Sequence, residues 1–332
     1  MAELVDSYYR TPDGKVALLH GHVLDVLKAF PAESVNCVVT SPPYWSLRKY
    51  DGCDSKWGNW VGQYGHEKSL ELYIEHTRMW LREIKRVLRK EGVCWLNLGD
   101  GYISGDADLM PFRVIVAAQT DGWRIRSTII WHKSKTTPES VRNRPTKAHE
   151  YIFLLAKGRP YWYDADAIRE PSVDQSSNNT RNCRSVWTVP AQNYAQAHFA
   201  VFSAEIPNRC IRAGCPEWVC PKCSKARVRI VERHNPIRSN ETAIAKLEAQ
   251  GVPRTTANIY GAHRAGTIET IGWTDCGCGE GFVGGVVLDP FAGSGVTCEV
   301  AHKLGRRAIG IDTSAKYLDL AIERLDKEAK VG

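Results

Sequence analysis

Val286-Val287-Leu288-Asp289-Pro290-Phe291-Ala292-Gly293-Ser294-Gly295-Val296 has the pattern of a strand, a tight loop and a helix start. Val286, Val287 and Leu288 form a short apolar run, the mark of a strand buried on both faces. Asp289 and Pro290 end it. Gly293 and Gly295 permit a tight turn and a close approach of backbone to ligand. Residues 297–302 can then start a helix. A second strand over 307–311 leads to Asp312, an acidic residue placed to accept from ribose hydroxyls. The loop is neither G-x-G-x-x-G nor G-x-x-x-x-G-K-[ST], so a nucleoside cofactor is a better expectation than a dinucleotide or a triphosphate.

A second apolar run ends in a loop much earlier, at V-N-C-V-V-T-S-P-P-Y-W over residues 35–45. Pro42 and Pro43 fix φ and remove two N–H donors, which leaves backbone carbonyls to accept from outside the chain. Ser41 adds a hydroxyl acceptor and Tyr44 a rigid aromatic face. That set suits a planar ring bearing an exocyclic amine. The ring would stack on Tyr44 while the amine donates to Ser41 and to the Pro42 carbonyl.

Thr40-Ser41-Pro42-Pro43-Tyr44-Trp45 and Asp289-Pro290-Phe291-Ala292-Gly293-Ser294-Gly295 together resemble the catalytic and cofactor motifs of the amino-group DNA methyltransferases. Their order, catalytic motif first, is similar to the β-type arrangement of that family. The resemblance covers most of the chain and implies a circularly permuted, Rossmann-like α/β fold that binds S-adenosylmethionine. It implies cofactor contacts from Thr40, Asp289, Pro290, Phe291, Gly293, Gly295 and Asp312. Residues 92–100 look like the strand after the catalytic one, and 129–133 and 149–157 like later strands. His198-Phe199-Ala200-Val201-Phe202 looks like a helical segment covering the cofactor, with His198, Ala200 and Phe202 in contact. Two positions depart from the pattern. Gly21-His22 stands where the family has Gly-Asp, so Asp25 or the backbone is expected to take that role. Ser203 stands where Pro often follows the covering Phe.

The net charge of +7 is unevenly spread. Residues 124–148 carry seven Lys/Arg and one acid, and residues 224–265 carry eight Lys/Arg and three acids. Basic charge confined to two segments is expected of a surface that follows phosphates. Beside a methyltransferase core these segments favour double-stranded DNA, with Trp45, Arg48, Lys49, Lys133, Lys135, Arg142, Arg144, Lys147, Arg254 and Arg264 as candidate contacts. A hydrophobic share of 43%, no run of 18 apolar residues and an acidic N-terminus with no signal peptide lead to the expectation of a cytoplasmic protein; the resemblance implies one of prokaryotic or phage type, associated with the nucleoid.

Leu70, Tyr73, Ile74, Thr77, Trp80, Leu81, Ile84, Val87 and Leu88 recur at helical spacing, which predicts an amphipathic helix over 68–89. A second helix is predicted over 315–327, capped by Thr313 or Ser314. Eleven cysteines in a long, leaderless chain suggest reduced thiols or metal. Cys220-Pro221-Lys222-Cys223 and Cys276-Gly277-Cys278 sit among turn residues, as structural zinc sites require, with Cys215 as a substitute ligand. Cys37, Cys94 and Cys298 lie in apolar runs and are expected in the core. The chain then divides into a catalytic core, 1–214 and 285–332, and an inserted zinc-binding and target-recognition module, 215–284.

The expected chemistry is methyl transfer to the exocyclic amine of a base that has flipped out of the duplex. In the family, Ser at the first motif position resembles the cytosine-N4 enzymes; Asp or Asn there more often marks the adenine-N6 enzymes. Cytosine N4 is therefore the leading expectation and adenine N6 the alternative. Further alternatives are an inactive zinc-containing DNA-binding protein and methylation of RNA or of a protein glutamine. The resemblance leaves open a homodimer and a cognate restriction endonuclease.

Overall fold

The computed structural model describes residues 7–329 apart from 48, 50–52, 137–138, 172–179, 191, 194–199, 202, 235–237, 240, 252, 254–261 and 264–266. Nine strands form one sheet: β1 (Tyr9–Arg10), β2 (Val16–His20), β3 (Val35–Thr40), β4 (Leu88–Leu98), β5 (Arg124–His132), β6 (His149–Ala156), β7 (Val186–Thr188), β8 (Val286–Asp289) and β9 (Arg307–Asp312). Their spatial order is β1-β2-β9-β8-β3-β4-β6-β5-β7. From β2 to β4 neighbouring strands are parallel, and β6 lies antiparallel to both β4 and β5. The last two strands of the chain thus occupy the centre of the sheet, between β2 and β3. That is the permuted α/β arrangement expected from the motif order.

The apolar runs are continuous because helices cover both faces. The helices are α1 (Val23–Lys28), α2 (Leu70–Val87), α3 (Met110–Thr120), α4 (Glu205–Gly214), α5 (Glu241–Ala249), α6 (Val296–Lys303) and α7 (Ala315–Ala329). Successive strand residues point to opposite faces. Cys94, Leu96 and Leu98 pack with α1, α2 and α3 on one side. Val93 and Trp95 pack with α4, α6 and α7 on the other. Cys37, Cys94 and Cys298 are core residues, as expected.

Helix α2 starts where Ser69 accepts from the Leu72 N–H, and it buries Leu70, Tyr73, Thr77, Trp80, Leu81, Ile84 and Val87. It stops two residues before the predicted end. Leu88 turns extended and pairs with Val35, so one apolar residue closes the helix stripe and opens a strand. Helix α7 buries Leu318, Ala321 and Leu325 and begins after Asp312 accepts from the Ser314 N–H. The covering segment needs correction. Ala200–Val201 is a short strand paired with Gln192–Asn193, and the helix begins only at Glu205. With Ser203 in place of Pro, nothing local sets an earlier helix start. His198 and Phe202 lie outside the described residues.

The crevice follows from the connections. From β3 the chain crosses by α2 to β4 on one side; from β8 it crosses by α6 to β9 on the other. Because β3 and β8 are neighbours, the loops at their carboxyl ends open the crevice where ligands of such sheets sit. Further along the chain, Val219 and Val283 exchange backbone hydrogen bonds of 2.8 and 3.0 Å and close a neck. Beyond it a two-stranded arm, Arg229–His234 against Thr267–Trp273, carries α5 near its far end.

Candidate active site

Both motif loops line one cleft, together with Gly21, His22, Asn97, Glu150 and Asp312. The loops are fastened to each other at their roots: Thr40 Oγ1 donates to Asp289 Oδ1 at 2.7 Å, and so does the Phe291 N–H at 3.1 Å. The glycine loop is held by Asp312, which accepts from the Gly293 N–H at 2.8 Å and keeps further acceptor capacity toward the cleft. Gly295 has φ +75°, and a Cβ there would lie 2.6 Å from the Ala321 Cβ, so α6 and α7 can pack this closely only over a glycine. The Phe291 ring stacks on Tyr64 at 5.4 Å and meets Trp80 edge-on at 5.2 Å. This apolar wall, the open glycine turn and the Asp312 carboxylate have the size and polarity that a nucleoside needs.

Burial pushes Asp289 up to about 6, against the hydrogen bonds that favour its charge. A carboxyl raised in the folded state binds more protons there than in the unfolded chain between about pH 4 and 6. Stability therefore falls as pH rises through that window, by up to about 3 kcal/mol. Asp289→Asn is expected to gain up to about that much on the natural chain between pH 4 and 7, read by urea unfolding at each pH. A constant difference across the window would refute this assignment.

Around the Ser-Pro-Pro-Tyr loop the pattern is one of anchoring. The Tyr73 hydroxyl donates to the Pro43 carbonyl at 3.0 Å, so that carbonyl is taken. Among the described residues no group donates to the Pro42 carbonyl. A Cβ at Gly99 would stand 2.7 Å from the Tyr44 ring, so the ring packs this closely only against bare backbone. The Tyr44 hydroxyl donates to Glu150 Oε2 at 2.8 Å and lies 3.1 Å from Ser41 Oγ. Asn97 Nδ2 shares its two hydrogens among Glu150 Oε2 at 2.8 Å, the Tyr44 hydroxyl and Ser41 Oγ at 3.2 Å. Lys133 forms an ion pair with Glu150. Burial works against the Glu150 charge, but the attraction of Lys133 and the hydrogen bonds from Lys133, Asn97 and Tyr44 outweigh it and hold Glu150 below the usual carboxylate range.

Asn97 and Glu150 were not legible as site residues. Asn97 sits inside an apolar run, where a polar residue was the available signal; Glu150 stands at the head of one, beside His149, and gave no such signal. His22 likewise lines the cleft, with Nε2 buried and, among the described residues, no hydrogen-bond partner. Asp25, expected as a substitute, is 74% exposed at its side chain and pairs with Lys28. Trp45 packs against the core and donates to the Glu67 carbonyl at 3.1 Å. Three of the expected DNA contacts have partners within the chain. Lys133 is held by Glu150, Lys147 by the Asp100 carbonyl, and Arg144 by Glu139 and the face of Tyr102. Each finds a carboxylate, carbonyl or ring that a phosphate would have to displace. Lys49, Lys135 and Arg142 are exposed. Arg48, Arg254 and Arg264 lie outside the described residues.

At the base of the arm the sulfur atoms of Cys220, Cys223, Cys276 and Cys278 all lie within 4.8 Å of one another. Four thiolates at about 2.3 Å from a tetrahedral zinc would be about 3.8 Å apart, so a small inward shift of the four is enough. Cys215 stays in the core, 1% exposed, and is not part of the cluster. Among the described residues no helix is long and apolar enough to cross a membrane.

Residues 35–218 and 278–323 match a DNA methylase family, that of the N6 and N4 methyltransferases. The chain is 31% identical to the Type II methyltransferase M.SmaI of Serratia marcescens, over 93% of this chain and 90% of that one. It is 32% identical to the Type II methyltransferase M.Cfr9I of Citrobacter freundii, over 94% and 88%. Among solved structures, the fold is similar to that of the cytosine-N4-specific PvuII DNA methyltransferase, with a TM-score of 0.62 at 17% identity over 96% and 89% of the chains. A candidate DNA modification methylase of Thermus thermophilus, complexed with S-adenosyl-L-methionine, superposes with a TM-score of 0.53 at 24% identity over 94% and 95%.

Proposed function

The chain belongs to the DNA methylase family of amino-group methyltransferases, and on that premise we propose that it methylates the N4 amine of a cytosine flipped out of duplex DNA. The observation that carries this reading is Ser41, at the head of the Ser-Pro-Pro-Tyr loop, with its Oγ in the cleft beside the unclaimed Pro42 carbonyl. S-adenosylmethionine supplies an electrophilic methyl group on a sulfonium. Phe291, the glycine turn at Gly293 and Gly295, and Asp312 are assigned to hold its nucleoside part. His22, with its unpartnered Nε2, faces the same space.

The amine of a base is a poor nucleophile because its lone pair is delocalised into the ring. Ser41 Oγ and the Pro42 carbonyl accept its two hydrogens and favour a geometry with a more localised pair. Tyr44 supplies the stacking face for the flipped ring. Holding amine and methyl in line then contributes much of the rate through proximity and orientation. In this reading Lys49, Lys135 and Arg142 meet phosphates, and the module at 215–284, organised by a four-cysteine zinc site, takes part in target recognition. A site closed by four thiolates has no open position and does no chemistry itself.

Nucleoside mass spectrometry tests the base. The protein is incubated with mixed-sequence duplex DNA and S-adenosylmethionine, and the DNA is digested to nucleosides. N4-methylcytosine is the expected product. N6-methyladenine would leave the family chemistry intact and overturn the base assignment.

A further inference from the structure

The polarity of the hydrogen bonds beneath the cleft has a chemical consequence. An ionised carboxylate is acceptor-only, so the Tyr44 hydroxyl must spend its hydrogen on Glu150 Oε2, 2.8 Å away. The contact between Ser41 Oγ and the Tyr44 oxygen, 3.1 Å, then has Ser41 as the donor. Asn97 Nδ2, whose two hydrogens are shared among three acceptors, also reaches Ser41 Oγ at 3.2 Å. Ser41 therefore keeps at least one lone pair to accept with, and it lines the cleft. Glu150 thus fixes Ser41 as an acceptor without touching it. Asn97 is buried and Glu150 half-buried, each in a strand, and Lys133, which pairs with Glu150, comes from a third segment.

We propose that Ser41, Tyr44 and Glu150 form a proton relay that carries away the proton released by the methylated amine, with Glu150 as its terminal acceptor. The inference rests on the methyltransferase reading above. The amine nitrogen forms its bond to the methyl carbon as the carbon–sulfur bond breaks, and that bonding pair passes to sulfur. The nitrogen, now carrying four bonds, gives a proton to Ser41 Oγ. Ser41 passes its own hydrogen to the Tyr44 oxygen, and Tyr44 passes its hydrogen to Glu150 Oε2. The products are a neutral methylated amine, a neutral thioether and a protonated Glu150, which then returns its proton to solvent. An ammonium on an electron-poor ring is a strong acid, so a carboxylate paired with Lys133 is basic enough to take the proton. Glu150 acts through the two hydroxyls and is a positioning residue as well as the end of the path.

The test is single-turnover methyl transfer across pH 5.5–9, a window chosen as roughly the range in which proteins of this kind stay folded. Wild type, Glu150→Gln, Glu150→Asp and the double variant Glu150→Gln with Lys133→Met are compared. The double variant removes both charges, so it keeps the question open to measurement should the single one leave Lys133 unpaired and fail to fold. Besides Glu150, the titratable groups facing this point are Tyr44, Lys133 and Lys147. Binding of S-adenosylmethionine and DNA is measured separately by titration. Glu150→Gln can turn its amide toward Tyr44 and reverse the relay, and its rate is expected to fall roughly 10²–10³-fold, the range for loss of a positioned proton acceptor. The rate that remains should climb with pH as hydroxide takes over the acceptor role, while the wild-type rate stays flat. Glu150→Asp should recover much of the loss. Rates for both Gln variants close to wild type would overturn the relay. So would a slow Gln variant with the wild-type pH profile, which marks a structural role alone. A wild-type chain that transfers no methyl to DNA would overturn the functional reading and the relay with it.

Discussion

Ser41→Ala is expected to slow methyl transfer by roughly 10²–10³-fold, the usual loss when one preorganised hydrogen-bonding partner of a transition state is removed. The reason is positional. Ser41 Oγ and the Pro42 carbonyl are the two acceptors assigned to the amine, and the neighbouring Pro43 carbonyl is already taken by Tyr73. Alanine would leave one amine hydrogen without an acceptor and would sever the path toward Glu150. Binding of S-adenosylmethionine should change by less than about threefold, a small fraction of a typical ligand's binding energy, because that nucleoside is assigned to Phe291 and Asp312 on the neighbouring loops. Quenched-flow measurement at saturating cofactor and DNA separates the two effects. A rate within about threefold of wild type would remove Ser41 from the chemistry.

Removal of the metal is the second large effect. We expect the purified chain to hold one zinc, and Cys276→Ser to lose it, because a structural zinc contributes on the order of 10 kcal/mol to the segment it organises. The nine-stranded sheet does not run through the arm, and the Val219–Val283 pair closes its neck. Cofactor binding by the core should therefore survive, while DNA binding weakens and proteases gain access to residues within 224–275. Metal analysis, limited proteolysis and separate titrations with cofactor and DNA make the comparison. A chain that contains no zinc yet protects its arm from protease would refute the site. Loss of cofactor binding together with the metal would show that the arm and the core fold as one unit.

Much of the fold was legible because its strands are central and parallel. Such strands are buried on both faces, so they appear as unbroken apolar runs, and their loops carry glycine and proline where backbone must turn sharply or come close to a ligand. The runs before Ser41 and Asp289 had this character, and the order of the two loops implied the permuted sheet. The paired cysteines also announced their cluster, since spacing in turns is a local property. Charge alone did not show what Lys133, Arg144 and Lys147 pair with in the folded chain. A cation's partner is decided by what folds against it, and each of these has one within the chain.

The covering segment was misassigned for a related reason: with two strand residues at Ala200–Val201 and the helix beginning at Glu205, its conformation depends on pairing with Gln192–Asn193 and on no local signal. The sequence by itself determined the class of sheet, the two loops that line the cleft, the family and the thiol cluster, because each is written in residues close together in the chain. Tertiary structure alone decided that Asn97, Lys133 and Glu150 meet beneath Ser41 and Tyr44. These residues come from separate segments, brought together when β6 pairs with both β4 and β5. A hydrogen-bond network assembled across strands leaves no period or spacing in the sequence, since its members share only a place in the sheet.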